Sequence, residues 1–201
     1  EFQTRETADL FLQLIIEVLA EKGRAAVVLP DGTLFGEGVK TKLKKMLTEE
    51  CNLHTIVRLP NGVFNPYTGI KTNILFFTKG QPTKDIWFYE HPYPEGVKNY
   101  SKTKPMKFEE FQTEIDWWGD ESDGFASRVE NDHAWKVSID EVIGRNYNLD
   151  ISNPYQGEVI DYDPNKLLAD YTKQQQSIDT LRSQLKDVLG AALSANTTED
   201  K

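Results

Sequence analysis

The sequence predicts an α/β fold with one reversed strand, followed by a long coiled-coil-like helix. Three observations carry this expectation. Short β-prone apolar runs alternate with amphipathic helical patterns from the start of the chain, as the crossover units of a mostly parallel sheet do. Two of those runs, 55–59 and 72–77, are joined by a segment without helical periodicity that holds Pro60, Asn61, Gly62, Pro66 and Gly69. The second run should therefore return antiparallel to the first, near the edge of the sheet. Toward the end, Leu167, Tyr171, Gln174, Ile178, Leu181, Leu185 and Val188 recur four and three apart, the seam of a coiled coil.

In chain order, Leu10, Phe11, Leu14, Ile15, Val18 and Leu19 predict a helix over 7–20 with that stripe buried and Lys22-Gly23 as its stop. A strand over 24–29 follows, then Val39, Leu43, Met46 and Leu47 at helical spacing, then the two runs joined by the loop. Residues 85–90 extend the sheet. Residues 91–107 are rich in Pro, Gly and Lys and read as a surface loop. Phe108-Glu109-Glu110-Phe111 and Ile115-Asp116-Trp117-Trp118 predict a short helix over an aromatic cluster. Residues 135–138 predict a strand, and Ser138 caps a helical turn through Ile143. The compact domain is expected to close near Tyr155, which divides the chain into 1–156 and a helical docking segment, 157–201, with a polar, disordered tail. A lone helix with such a stripe leaves it wet, so it needs a partner in its own domain or in another chain.

Composition narrows the function. With 38% hydrophobic and 27% charged residues in 201, the chain reads as globular, with a core and room for an appendage. No apolar run approaches the roughly 18–20 residues that span a bilayer and no signal peptide opens the chain, so no membrane partner is expected. The single cysteine, Cys51, has no internal disulfide partner and suits a reducing cytoplasm. A start at Glu1, entering a helix almost at once, reads as a fragment of something larger. The net charge of −9 argues against simple nucleic-acid binding, but the imbalance is local. Between 109 and 132, Glu109, Glu110, Glu114, Asp116, Asp120, Glu121, Asp123, Glu130 and Asp132 face one base, Arg128. That segment is a candidate for binding a basic partner or for keeping DNA off the wrong face. Two basic clusters, Lys40/Lys42/Lys44/Lys45 and Lys98/Lys102/Lys104/Lys107, either meet phosphate or form a solvated face.

Several motifs are near-matches only. Gly36-Glu37-Gly38-Val39-Lys40-Thr41 lacks the third glycine of a dinucleotide fingerprint. His54, His91 and His133 stand far apart, without metal-ligand spacing, so no metal is expected. Asn65-Pro66-Tyr67 and Asn153-Pro154-Tyr155 each lack the second proline of the tetrapeptide that holds a flipped base, and read as turns.

The stretches 23–35 (GRAAVVLPDGTLF), 53–64 (LHTIVRLPNGVF) and 69–77 (GIKTNILFF) resemble the modification (M) subunit of type I restriction-modification systems. Residues 145–150 and 153–155 are similar to that family's close of the catalytic domain. The resemblance implies the carboxy-terminal half of a Rossmann-like methyltransferase sheet. It also implies a DNA adenine methyltransferase that takes its methyl group from S-adenosylmethionine and works with a specificity subunit, a restriction subunit and DNA in the assembled complex. Its terminal helix would dock on the specificity subunit through Leu167, Tyr171, Ile178, Leu181 and Leu185. The family's glycine-rich cofactor loop and Asn-Pro-Pro-Phe tetrapeptide are missing here, so no catalytic residue is assigned, and the fragment alone is expected to be inactive and not to bind the cofactor. Phe64 matches an aromatic that helps hold the flipped adenine, though a core position fits it equally. Lys71 is expected at DNA phosphate, with Lys40 and Lys44 of the first basic cluster as further contacts. Thr72 and Asn73 are as well suited to securing the loop. The competing class is a pure interaction module acting through the terminal helix; a nucleotide-dependent oxidoreductase fails for want of a fingerprint.

Overall fold

The computed structural model describes the backbone of residues 4–155 and 164–196, in two separate units that divide between Gly157 and Glu158. The first unit is built on a five-stranded mixed sheet in the order β1-β3-β2-β4-β5. The strands are β1 Arg24–Pro30, β2 Cys51–Arg58, β3 Thr72–Lys79, β4 Asp85–Glu90 and β5 Ala134–Ser138. The reversed strand is present: β3 runs antiparallel to β2, with Val57 opposite Ile74, and antiparallel to β1, with Val28 opposite Ile74. It lies one place in from the β1 edge, between two strands that point the same way. The expectation of a mostly parallel sheet is corrected by this, because β1 and β2 never touch and only β2 and β4 pair in parallel. β5 closes the other edge antiparallel to β4.

β2 is buried almost throughout, as a strand covered on both faces must be. Ile56 faces a core of Leu12, Ile16, Leu43, Leu47, Phe77, Phe88, Trp135 and Val142, under α1 Thr7–Val18, α3 Val39–Glu50 and α5 Ile139–Gly144. Its neighbour Val57 faces the opposite layer, where Phe76, Tyr89, Trp117 and Trp118 meet below a short 3₁₀ turn, Phe108–Phe111, and α4 Gln112–Trp117. The expected helix over an aromatic cluster is this second layer. A register shift in β2 between Leu53 and Thr55 places His54 at a bulge, against Phe125 with ring centroids 4.8 Å apart.

Helix ends follow local chemistry. Ser138 Oγ accepts from the Glu141 amide at 3.3 Å and opens α5. After α1, the Lys22-Gly23 turn is stitched to the end of β3, Lys22 donating its amide to the Lys79 carbonyl and Lys79 donating back to that of Gly23. A short helix, α2 Gly32–Phe35, follows β1 directly. The buried stripe of α1 matches the expected one only in part: Leu12 and Ile16 are fully buried and Ile15 and Leu19 pack half-buried against the same core, while Leu10, Phe11, Leu14 and Val18 are exposed. The helix carries two apolar stripes, and the core takes the one centred on Leu12 and Ile16.

Much of the acidic segment is engaged within the chain. Glu110 accepts from the Tyr100 hydroxyl, Glu114 pairs with His91, Glu121 accepts from Thr78, and Glu130 accepts from the Lys136 amide and the Tyr155 hydroxyl. Its single base, Arg128, is buried among Phe125, Trp117 and Trp118, with the guanidinium carbon 3.7, 4.5 and 5.0 Å from the three rings.

The second unit is described as one helix, α6 Pro164–Asn196, with Leu168, Tyr171, Ile178, Leu181 and Leu185 exposed. The side chains of Leu167 and Val188 lie outside the described residues.

Candidate functional site

β1, β2 and β4 point the same way, so their carboxyl ends open on one side of the sheet, the usual place for a site in an α/β fold. A cleft of about 300 Å³ lies there, formed by residues just past those ends, Asp31, Leu59 and His91, and by Lys71 and Asn73 at the start of the reversed strand. Its floor is fixed by Arg58, the last residue of β2. That guanidinium donates to the Asp150 carboxylate at 2.7 Å and to the Ile151 carbonyl at 3.0 Å, and faces Asp31 at 3.7 Å. Asn73 Nδ2 donates to the same Asp31 oxygen at 3.0 Å. Three strand ends and the segment after α5 are thereby locked together by bonds to charged groups, stronger than neutral ones.

On the β4 side the cleft meets a buried imidazole. His91 Nδ1 is hydrogen-bonded to the Glu114 carboxylate, its ring lies 4.8 Å from that of Phe111, and Nε2 is buried without a partner. On the β2 side, residues 60–71 arch from Leu59 to Thr72, whose backbone groups pair at 3.0 Å. This arch holds Phe64, which is 40% exposed, Tyr67, 91% exposed, and Ile70, 61% exposed. Lys71 is exposed at the cleft and has no carboxylate partner among the described residues. A polar cleft with an unpaired cation, under an arch of exposed aromatic and aliphatic side chains, is suited to a ligand with both an anionic group and a flat ring.

The model of the N-6 DNA methylase family matches residues 1–163. The chain belongs to this family. It is 81% identical over 196 residues to the type I restriction enzyme EcoEI methylase subunit of Escherichia coli, covering 98% of this chain and 40% of that relative. Among solved structures it is similar to a modification subunit of a putative type I restriction enzyme from Vibrio vulnificus YJ016, with a TM-score of 0.71 and 46% identity over 80% of this chain and 35% of that one. It is also similar to a chain from a structure of complex assembly and conformational transition of the type I R-M system, with a TM-score of 0.72 and 35% identity over 93% of this chain and 40% of the other. This N-6 DNA methylase chain thus spans about 40% of the length of its E. coli relative.

The expected site residues of this methylase chain are scattered. Lys71 lies at the cleft, and Phe64 lies on the arch, exposed and not among the lining residues. Lys40 and Lys44, expected at DNA, are turned inward and engaged within the chain. α1 and α3 lie side by side, and Lys40 Nζ reaches across to Asp9 at 2.8 Å and to Glu6. Burial pulls its pKa down, but the bonds to Asp9 and Glu6 outweigh this and hold the ammonium above its ordinary value. Lys44 is 2% exposed and donates to the Leu34 and Gly36 carbonyls at 2.6 and 2.9 Å, closing the end of α2. Burial, with Lys40 adding to it, pushes Lys44 down to about 8. Asn73 ties the start of β3 to Asp31, just past the end of β1. Of the cleft's other members, Asp31, Arg58 and His91 are assigned to no site by the sequence, where His91 is weighed only as a metal ligand; Asp31 and Arg58 stand at the ends of apolar runs, which is the one signal that marks them.

Proposed function

We propose that this chain is part of the modification subunit of a type I restriction-modification enzyme, a DNA adenine methyltransferase of the cytoplasm, and that its cleft forms one wall of the adenine pocket. The observation that supports this is the cleft itself: in an N-6 DNA methylase chain, an unpaired lysine and an aromatic arch stand over the joined ends of three strands. S-adenosylmethionine would supply the methyl group. The residues present do not fit that cofactor by themselves, because Asp31 is taken by Asn73 and Arg58, and Asp150 by Arg58. The chain's own contribution is to stack the displaced base on Phe64 and to hold its phosphate on Lys71, and the 201 residues alone are inactive.

The test uses the full-length subunit assembled with its specificity subunit, assayed by transfer of labelled methyl to DNA. Phe64→Ala should lower kcat/KM by about 10- to 100-fold, the loss of one base–aromatic stack of ~1–3 kcal/mol. Lys71→Ala should weaken DNA binding and make it less salt-dependent. A Phe64→Ala enzyme with unchanged kcat/KM and a lower melting temperature would make Phe64 a packing residue and remove it from the pocket.

A second reading is favoured by a different observation, the exposed Tyr171, Ile178, Leu181 and Leu185 on α6. In this reading α6, with Leu167 as a further contact, docks in coiled-coil fashion on the helices of the specificity subunit, and the restriction subunit joins the same assembly. The two readings are compatible, since docking can survive where catalysis is lost.

A further inference from the structure

The loop over residues 92–107 starts at the cleft and has no helix or strand, yet it is anchored. The Tyr93 hydroxyl donates to the Asn61 carbonyl at 2.9 Å, and Asn65 Nδ2 donates to the Tyr100 carbonyl at 3.0 Å. The Tyr93 and Tyr100 rings lie 5.4 Å apart, and Tyr100 is 2% exposed. Gly62, at φ 82°, sits so close that a Cβ there would lie 2.2 Å from Asn99 Oδ1 and 2.9 Å from the Tyr100 carbonyl oxygen. The arch and this loop are therefore one packed body at the mouth of the cleft.

At its far end the loop turns tightly, Ser101 and Lys104 exchanging both backbone hydrogen bonds at 3.0 and 3.1 Å, which sets Lys102 at the tip. Lys98, Lys102, Lys104 and Lys107 are all exposed, and none forms an ion pair among the described residues. The loop holds one acid, Glu95, in a chain of net charge −9. Lys40 and Lys79, by contrast, are paired with carboxylates. Four unpaired lysines on one anchored loop, which starts at the cleft that Lys71 lines, form a local cationic cluster on an acidic molecule, and such a cluster fits a run of phosphates.

We propose that this loop is a sequence-independent clamp on the sugar-phosphate backbone of duplex DNA, next to the base that occupies the cleft. The proposal rests on the DNA reading above and extends it to a surface outside the cleft. It assigns these lysines affinity and salt dependence, and no part in choosing sequence.

The experiment measures binding of the 201-residue chain to short duplexes of unrelated sequence between about 50 and about 200 mM salt. Combined Lys98→Ala, Lys102→Ala and Lys104→Ala should make the slope of log K against log salt shallower by about 2–3, equally on every duplex. Lys84→Ala with Lys136→Ala, two exposed lysines elsewhere, serves as the control and should leave the slope unchanged. An unchanged slope in the triple variant overturns the clamp. If Lys71→Ala alone then reduces the slope, the cleft reading stands without the clamp; if neither does, both surfaces are excluded from DNA. Absence of duplex binding by the wild-type chain at the lowest salt overturns the clamp directly, and leaves the methylation reading to the labelled-transfer assay.

Discussion

At the scale of single residues, two buried groups set the stability of the layer behind the cleft. Arg128 lies among three aromatic rings and donates to the Trp118 carbonyl at 2.7 Å and to Thr55 Oγ1 at 2.8 Å. A lysine offers neither the flat stacking surface nor the fork, so Arg128→Lys should destabilise the chain by about 2–4 kcal/mol, read from urea unfolding followed by tryptophan fluorescence. A midpoint within experimental scatter of wild type would mean that the rings carry this layer alone. His54 beside it is held neutral: burial, and then Arg128, push its imidazole down to about 3. The unfolded chain accepts a proton below about pH 6.5 that the folded chain refuses. Stability is therefore full above about 6.5 and falls as pH drops toward 3, by about 1.4 kcal/mol per pH unit from this group. His54→Gln should flatten that part of the profile, and equal acid sensitivity in the two proteins would exclude His54 as its source. Neither role can be read from the sequence, where Arg128 stands in an acidic run as a surface base would. Lys44 misleads in the same way, because a lysine in a basic cluster gives no sign that two carbonyls lie within its reach. The His91–Glu114 pair bridges elements 23 positions apart and leaves no periodic trace.

At the scale of elements, local chemistry was legible where it acts locally. The breakers between 60 and 70 marked the arch, the hydroxyl of Ser138 marked the start of α5, and the aromatic spacing around Trp117 marked the second layer. The choice between the two stripes of α1 was not legible, since periodicity reports that a helix has an apolar face and only its neighbours decide which face they cover. The position of β3 was half legible: loop length gives its direction relative to β2, but its insertion beside β1 is a long-range pairing. α6 carries the prediction at this scale. Titrating the chain with purified specificity subunit should give binding that is lost on truncation after Gln156. Equal binding by both forms would place the docking surface on the first unit instead.

At the scale of the whole molecule, charge and apolar surface are divided rather than averaged. Acids are concentrated in 109–132 and are largely consumed by internal bonds, whereas Lys71 at the cleft and four lysines of the loop that starts there are exposed without a carboxylate partner among the described residues. Leu10, Phe11, Leu14 and Val18 leave an apolar patch on α1, and no helix among the described residues is long and apolar enough to cross a membrane. The order of the strands has a consequence in time as well as in space. Within the sheet β1 pairs with β3 alone among the described strands, and Arg24 meets Thr78. Between β1 and β3, its partner among the described strands, the chain must make α2, α3, β2 and the whole arch. Loops that long close slowly, while the β2–β3 hairpin closes over the arch alone. The β1–β3 pairing therefore closes after the β2–β3 hairpin, although β1 precedes both strands in the chain.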